Sequence, residues 1–171
     1  MSGKLKPGVD YIAITTPFYC NDGNGTFVFH KRSRFCRDEQ GRWDFGSGQL
    51  EFGENPREGV LREVLEEYGC EGEIQEQLPA HSILREHNGI RTHWLAIPFF
   101  VKVDLNKVKK NDSEKIEAVG FFTLDDLPTP LHTGAAFTME HFGKHFAKYG
   151  SKRSLNIKEG QYFAAFIPKK K

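Results

Sequence analysis

The sequence predicts a mixed α/β domain, and three observations support this prediction. Short segments rich in apolar, β-branched and aromatic residues recur along the chain, as expected for strands. An amphipathic helix with clear start and stop signals lies in the first half, and a second amphipathic segment lies near the end. Because 171 residues suit one ordinary domain, we expect residues 1–171 to form a single domain.

The composition excludes several classes of protein. Hydrophobic residues make up 38% and charged residues 27%, which allows a core and argues against disorder. Cys20, Cys36 and Cys70 lack CxxC spacing, so we expect reduced thiols rather than disulfides or a zinc site. The chain shows no secretory signal and no apolar run of membrane length. We therefore expect a cytoplasmic protein with no membrane partner.

The net charge of +1 does not indicate wholesale nucleic-acid binding, which usually needs a marked basic surplus. Basic residues do cluster at positions 30–37 and at the tail, 169–171. We interpret the tail as a solvated end, and these clusters leave nucleic-acid binding open. The oligomeric state is not indicated, and a homodimer is compatible with the sequence.

The first part of the chain predicts a hairpin. Residues 9–18 and 26–30 are predicted strands, joined by a turn of Asn, Asp and Gly residues that tolerate positive φ. A polar, basic loop follows at 31–42. Residues 43–45 then form a short predicted strand that leads into Gly46-Ser47-Gly48.

The best-delimited helix is predicted at residues 56–68. Asn55 is a suitable N-cap, Pro56 suits the first helical position, and Gly69 is a typical left-handed stop. Apolar residues at helical spacing form one stripe, namely Val60, Leu61, Val64, Leu65 and Tyr68.

The second half predicts further strands and a closing helix. Strands are expected at 73–85, 90–103 and 118–123, with a tight turn at 87–89 and a charged loop at 107–115. Residues 133–149 are expected to form one amphipathic helix. Its core candidates are Phe137, Phe142 and Phe146.

Three glutamates and an arginine share one face of the first helix. Glu63 is a helical neighbour of both Glu66 and Glu67, and Arg62 is spaced to pair with Glu66. Such carboxylates repel one another, and a hard divalent cation such as Mg²⁺ would compensate for this repulsion. Considered alone, the same pattern also suits a solvated acidic face.

The wider context favours the metal site. The stretch from Gly48 to Cys70 reads GQLEFGENPREGVLREVLEEYGC. Its constrained positions are Gly48, Glu54, Arg62, Glu63, Glu66, Glu67 and Gly69. At roughly one-in-twenty usage for each, a chance match is on the order of one in a billion per window. With this complete motif, called the box from here on, the chain resembles the Nudix hydrolase family.

This resemblance implies an α/β/α sandwich with a mixed β-sheet and a catalytic metal, Mg²⁺ with Mn²⁺ as an alternative. Glu63, Glu66 and Glu67 resemble the metal-binding glutamates, with Arg62 orienting them and Glu63 as first choice for the general base. Ser47 stands where relatives often carry glycine, and its backbone carbonyl would be a further ligand. An additional acid outside the box would be Glu114 or Glu117, unless both are plain surface residues.

The resemblance also implies a small-molecule nucleotide substrate. Arg32 and Arg34 either contact its phosphates or lie in an exposed turn, and Trp43 either stacks on a base or packs in the core. The expected reaction is cleavage of a diphosphate linkage in a nucleotide sugar, an ADP-ribose-like compound or a nucleoside triphosphate, oxidised or unmodified. One alternative is an RNA 5′-pyrophosphohydrolase or decapping enzyme, which predicts a continuous basic channel. Another is a catalytically silent binding module, which predicts eroded glutamates, whereas all three are present.

Overall fold

The computed structural model describes residues 4–150. Nine strands and three helices lie within these residues. The strands are Ala13–Asn21 (β1), Thr26–Arg32 (β2), Trp43–Asp44 (β3), Gly46–Gln49 (β4), Gly72–Gln77 (β5), His81–His87 (β6), Ile90–Ala96 (β7), Phe99–Val103 (β8) and Ile116–Thr123 (β9). The helices are Pro56–Tyr68 (α1), Thr133–His141 (α2) and Gly143–Tyr149 (α3).

Strand β1 is central to one mixed sheet. Its first residues pair in parallel with β7 and its last residues pair in parallel with β8. On its other side β1 pairs antiparallel with β4 and, at its end, with β2. Strands β9, β6 and β5 extend the sheet antiparallel to β2, β7 and β8, respectively.

Side chains alternate between the two faces of the sheet, and each face carries its own core. Phe18 and Cys20 of β1 pack with Val60 of α1 on one face. Tyr19, between them in the chain, packs with Phe146 of α3 on the other face. Helices therefore cover both faces, which confirms the predicted α/β/α sandwich with a mixed sheet.

Helix α1 has the predicted boundaries. The Asn55 side chain accepts a hydrogen bond from the Arg57 N–H at 2.9 Å, and Pro56 occupies the first helical position. Gly69 ends the helix with φ of 62°. The apolar stripe is buried except at its edges, since Leu65 remains 51% exposed.

The charged loop after β8 closes the C-terminal end of α1. The N–H of Lys109 donates to the Tyr68 carbonyl at 3.0 Å, and the N–H of Asn111 donates to the Glu67 carbonyl at 3.1 Å. Asn111 Nδ2 donates to the Glu66 carbonyl at 2.9 Å. Because a helix leaves its last carbonyls without partners, these bonds fix the turn that carries Glu66 and Glu67.

Two predicted strands are each divided in the structure. The segment 73–85 forms β5 and β6, and the segment 90–103 forms β7 and β8. The breaks lie side by side, since the Leu78 N–H donates to the Pro98 carbonyl at 2.9 Å. Pro98 has no N–H to donate to a neighbouring strand, so the pairing with β1 is interrupted at this residue. Strand β7 pairs with β1 before the interruption, and strand β8 pairs with β1 after it.

The predicted helix 133–149 is also divided. It breaks at Phe142, where φ is −108° and ψ is 22°, just before Gly143, a weak helix former. Phe142 and Phe146 are buried as predicted, whereas Phe137 is only partly buried. Within residues 4–150, no helix has both the length and the apolar character needed to span a membrane.

Glu76 on β5 holds α3 against the sheet. Its carboxylate lies 2.7 Å from His145 Nδ1 and accepts hydrogen bonds from Lys148 Nζ at 2.9 Å and from the Tyr149 hydroxyl at 3.0 Å. Burial raises the pKa of Glu76, but these partners outweigh burial and hold the pKa below its usual value. Its ionised form therefore stabilises the fold, and this contribution is lost as the pH falls through the lowered pKa.

Replacing Glu76 with Gln should lower the free energy of unfolding at pH 7 by about 1–2 kcal/mol, because a neutral amide cannot serve three donors as a carboxylate does. Urea unfolding measures the change. The control is Glu73→Gln, an exposed acid on the same strand, which should stay within about 0.5 kcal/mol of wild type. The gap between wild type and Glu76→Gln should narrow as the pH falls. Equal stability of the two variants at pH 7 would contradict the assignment.

Candidate active site

Strand β4 brings the backbone close to the glutamates of α1. A Cβ added at Gly48 would lie 1.7 Å from the carboxyl carbon of Glu63. A Cβ added at Gly46 would lie 2.8 Å from Glu67 Oε2 and would also collide with Phe18. The absence of side chains at these two glycines therefore makes the space that both carboxylates occupy.

Ser47 lies between these glycines, opposite Pro17 of β1. The Leu50 N–H donates to the Ile14 carbonyl, so these two residues form a hydrogen-bonded pair in the same register. Along an antiparallel ladder, hydrogen-bonded pairs alternate with pairs that share no hydrogen bond. The pair of Ser47 and Pro17 is then non-bonded, so the Ser47 carbonyl points away from β1. Within residues 4–150, β4 pairs with β1 alone, which leaves that carbonyl on an open edge.

The three clustered glutamates differ in burial. Glu63 is 6% exposed and Glu67 is 3% exposed, whereas the Glu66 side chain is 56% exposed. Burial raises the pKa of Glu63 despite the neighbouring Arg62, and it raises the pKa of Glu67 well above the usual value. The sequence placed all three opposite the apolar stripe, but it did not indicate that two of them would be enclosed between helix and sheet.

Arg62 joins the acids of the box. Its guanidinium donates to both carboxylate oxygens of Glu54, at 2.8 and 2.9 Å, and to Glu63 at 2.9 Å. The predicted contact with Glu66 is present at 3.2 Å. The hydrogen bond from Arg62 lowers the pKa of Glu54 to about 2, so Glu54 is a fixed anion that anchors the arginine.

Glu67 carries an unsatisfied atom. Its Oε2 is buried and has no hydrogen-bond partner in the described part of the chain. His30 Nδ1 lies 3.9 Å from Oε2, but burial and the charge of Arg32 lower the pKa of His30 to about 3. The imidazole is therefore neutral at physiological pH, and a buried carboxyl oxygen remains without a partner that a divalent cation would satisfy.

The donor set fits Mg²⁺ better than a metal that needs a complete protein cage. No three His, Cys, Asp or Glu groups within residues 4–150 converge as a ready-made metal site. Mg²⁺ usually takes one or two carboxylates and completes its octahedron with water and substrate phosphate. Glu63, Glu67 and the Ser47 carbonyl suit that pattern, and exposed Glu66 lies one helical turn from Glu63.

Asp112, an acid outside the box that sequence reasoning missed, acts electrostatically on this cluster. The charges of Lys115 and Asp112 act on Glu67, and Lys115 Nζ lies 3.6 Å from Asp112. Of the predicted candidates, Glu117 pairs with Lys31 at 2.7 Å, and exposed Glu114 contributes its backbone carbonyl to Ser33. A helix-capping loop brings Asp112 there, and no local sequence signal marks that approach.

A cavity of about 480 Å³ opens beside β4. Residues 44–49 form one wall, and residues of β6 and α2 form others. Four aromatic side chains contribute to the apolar part of the lining, namely Tyr19, Phe45, Trp94 and Phe137. Gly46 and Gly48 border both this cavity and the glutamates, so a ligand in the cavity could extend to the acidic cluster.

Charged residues also line the cavity. Arg32 donates to Asp38 at 2.6 Å and to Asp44 at 3.4 Å, and His132 Nδ1 lies 3.0 Å from Asp44. Burial raises the pKa of Asp44 to about 6 against the opposing effect of Arg32. Burial and the charge of Arg85 lower the pKa of His132 to about 2, so this histidine is neutral.

The predicted substrate-binding residues occupy different places. Arg32 lines the cavity. Arg34 does not line it, and its guanidinium lies over the Phe35 ring at 4.7 Å. Trp43 packs edge-on against Phe122, with ring centroids 5.1 Å apart, beside the core that contains Tyr19 and Phe146. This position agrees with its interpretation as a core aromatic.

Two curated relatives act on nucleotides according to their names. The chain is 27% identical over 150 residues to the 8-oxo-dGDP phosphatase of Mus musculus, covering 85% of this chain and 42% of that protein. It is 35% identical over 65 residues to the CTP pyrophosphohydrolase of Escherichia coli, covering 37% of this chain and 47% of that protein. The chain thus spans less than half the length of these relatives.

A solved structure and a family model agree on the fold. The MutT NUDIX hydrolase from Burkholderia pseudomallei superposes with a TM-score of 0.66 at 26% identity, covering 76% of this chain and 97% of that chain. The family model for the NUDIX domain matches residues 13–145, which include the whole box and helices α1 and α2. The chain therefore belongs to the NUDIX domain family.

Proposed function

We propose that the protein is a Mg²⁺-dependent hydrolase that cleaves a diphosphate linkage in a nucleotide derivative. One observation carries this proposal: the buried carboxylates of Glu63 and Glu67 meet strand β4, whose opposite side borders a nucleotide-sized cavity. An enzyme of this kind must bind the nucleoside close enough to the metal for the diphosphate to reach it. Strand β4 adjoins both the glutamates and the cavity.

The reaction replaces one P–O bond with another. Water attacks one phosphorus, the bridging P–O bond breaks, and the leaving phosphate departs with its oxygen. Mg²⁺, when bound, would polarise the diphosphate and lower the pKa of the attacking water. Glu63 is our first choice for accepting the water proton, and Arg62 holds it through the 2.9 Å hydrogen bond. Glu66 and Glu67 would complete the metal ligands.

The cavity supports a mononucleotide-like substrate. Its aromatic lining suits a flat ring, and its volume suits a base with its sugar. The names of the relatives point to nucleoside di- and triphosphates. An RNA substrate has less support, because Arg32 of the basic loop is already paired with Asp38 and Asp44 rather than open to a phosphate backbone.

The first test of this proposal is metal dependence. A panel of nucleoside di- and triphosphates, nucleotide sugars, ADP-ribose and capped RNA should include at least one compound that is hydrolysed with Mg²⁺. Excess chelator should abolish that hydrolysis, and added Mg²⁺ should restore it, because the buried carboxylates need a cation to act on phosphate. Phosphate release measures the rate. Undiminished hydrolysis in chelator would refute the proposal.

Glu67→Gln should separate stability from activity. Burial disfavours the ionised form of Glu67 and an amide carries no charge, so in chelator the variant should melt at or above the wild-type temperature. With Mg²⁺ it should lose roughly 10²-fold or more in turnover, because a charge-stabilising ligand is lost. Glu58→Gln, an exposed change in the first turn of the same helix, is the control and should match wild type in both measurements. An active Glu67→Gln would remove this residue from the site.

Gly48→Ala should damage the site through sterics alone. Its new methyl group would meet the Glu63 carboxyl, so we expect a rate loss of roughly 10²-fold without unfolding. Ser47→Ala is the matched control on the same strand. It keeps the backbone carbonyl, which is the proposed ligand, and should stay within about threefold of wild type. A large loss in Ser47→Ala would assign the role to the hydroxyl instead.

A further inference from the structure

The cavity holds a carboxylate that the proposed chemistry does not use. Asp44 ends β3, three positions before Ser47, and its side chain is 16% exposed and lines the cavity. It lies on the side of β4 away from the glutamates, among aromatic walls. Burying a carboxylate in such a place costs free energy unless partners compensate for its lost hydration, and Asp44 has such partners.

Three groups fix the position of Asp44. The Phe45 N–H donates to Oδ1 at 2.9 Å, His132 Nδ1 lies 3.0 Å from Oδ2, and Arg32 Nη1 lies 3.4 Å from Oδ2. A carboxylate has about four acceptor sites. Oδ1 therefore keeps one acceptor site, and Oδ2, which lies against His132, has its second acceptor site engaged only by the longer contact with Arg32.

His132 is oriented to support this carboxylate. Its Nδ1 lies 3.0 Å from Asp44 Oδ2 and 3.1 Å from the Gly134 nitrogen, and its Nε2 lies 3.3 Å from both Arg85 Nη1 and Glu39 Oε1. The tautomer with its proton on Nδ1 donates to Asp44 and accepts from Arg85, whereas the tautomer with its proton on Nε2 accepts from Gly134 and donates to Glu39. In either tautomer His132 connects Arg85 of β6 with Asp44 of β3.

The chemistry of the free acceptor sites limits what can bind there. An ionised carboxylate accepts hydrogen bonds and donates none. A guanine edge offers two adjacent donors, the N1–H and the 2-amino group. Adenine and cytosine set a ring-nitrogen acceptor beside their amino donor, and that acceptor would repel the carboxylate.

Building on the proposed function, we infer that Asp44 is a specificity-determining residue that selects bases with adjacent N–H donors, as in guanine, over bases with a ring acceptor beside the donor. His132 is a positioning residue that acts through Asp44. The ring would lie among Tyr19, Phe45, Trp94 and Phe137, and the diphosphate would reach past Ser47 toward the glutamates.

The wild-type protein provides the first test. Binding of GMP, AMP, CMP and N1-methyl-GMP is measured in chelator by quenching of Trp94, which lines the cavity, against a background from Trp43. GMP should bind at least about 10-fold more tightly than AMP or CMP, and N1-methylation should cost about 10-fold. Equal affinities, an unchanged affinity for N1-methyl-GMP, or no saturable binding by any nucleotide would overturn the inference.

Asp44→Asn provides the second test, because it replaces one acceptor oxygen with a donor. It should reduce the preference for GMP over AMP by about 10-fold, whereas a purely structural role would weaken all nucleotides alike. The control is Glu39→Gln, which contacts His132 Nε2 at 3.3 Å without lining the cavity and should keep the preference. If Asp44→Asn does not fold, the N1-methyl-GMP comparison decides. Because binding is measured without metal or turnover, an inactive enzyme would refute the proposed function and leave this result readable.

Discussion

The close approach of strand β4 to helix α1 is the constraint on which the site depends. Gly46 and Gly48 lack the side chains that would fill the space of the Glu67 and Glu63 carboxylates. Two acids are therefore removed from water between a helix and a sheet, at a cost that the apolar cores on both faces must offset. Arg62 lowers that cost for Glu63 by donating a hydrogen bond to its carboxylate, whereas Glu67 keeps an oxygen without a hydrogen-bond partner among the described residues.

The proposed chemistry and the proposed recognition lie on different layers of the sandwich. Helix α1 carries the glutamates, whereas α2 contributes Ala135, Phe137 and Thr138 to the cavity. The segment from Asp44 to Gln49 runs between them and touches both. A substrate would thus contact residues from both layers of the sandwich.

The sequence predicted the parts of this site whose signals are local. The Asn55 cap, Pro56 and Gly69 defined α1 to the residue, and the box predicted the glutamates. Signals that depend on tertiary pairing were not visible. The break at Pro98 follows from two successive partners of β1, and the burial of Glu63 and Glu67 follows from glycines on another strand. The contact between Asp44 and His132 joins residues far apart in the chain, and neither belongs to a motif.

The double pairing of β1 also has a kinetic meaning. Phe18 pairs with Phe99 and Ala13 pairs with Trp94, so the centre of the sheet forms only when segments about 80 residues apart in the chain meet. Loop closure of that length carries an entropic cost that must be met before the sheet contributes stability. Helix α1 lies inside the loop so closed, and its buried face packs on β1 and β4 as well as on residues of β8, so that closure completes the core around it. The folding rate is therefore expected to depend on the β1–β8 register rather than on the helix, whose own capping signals are strong.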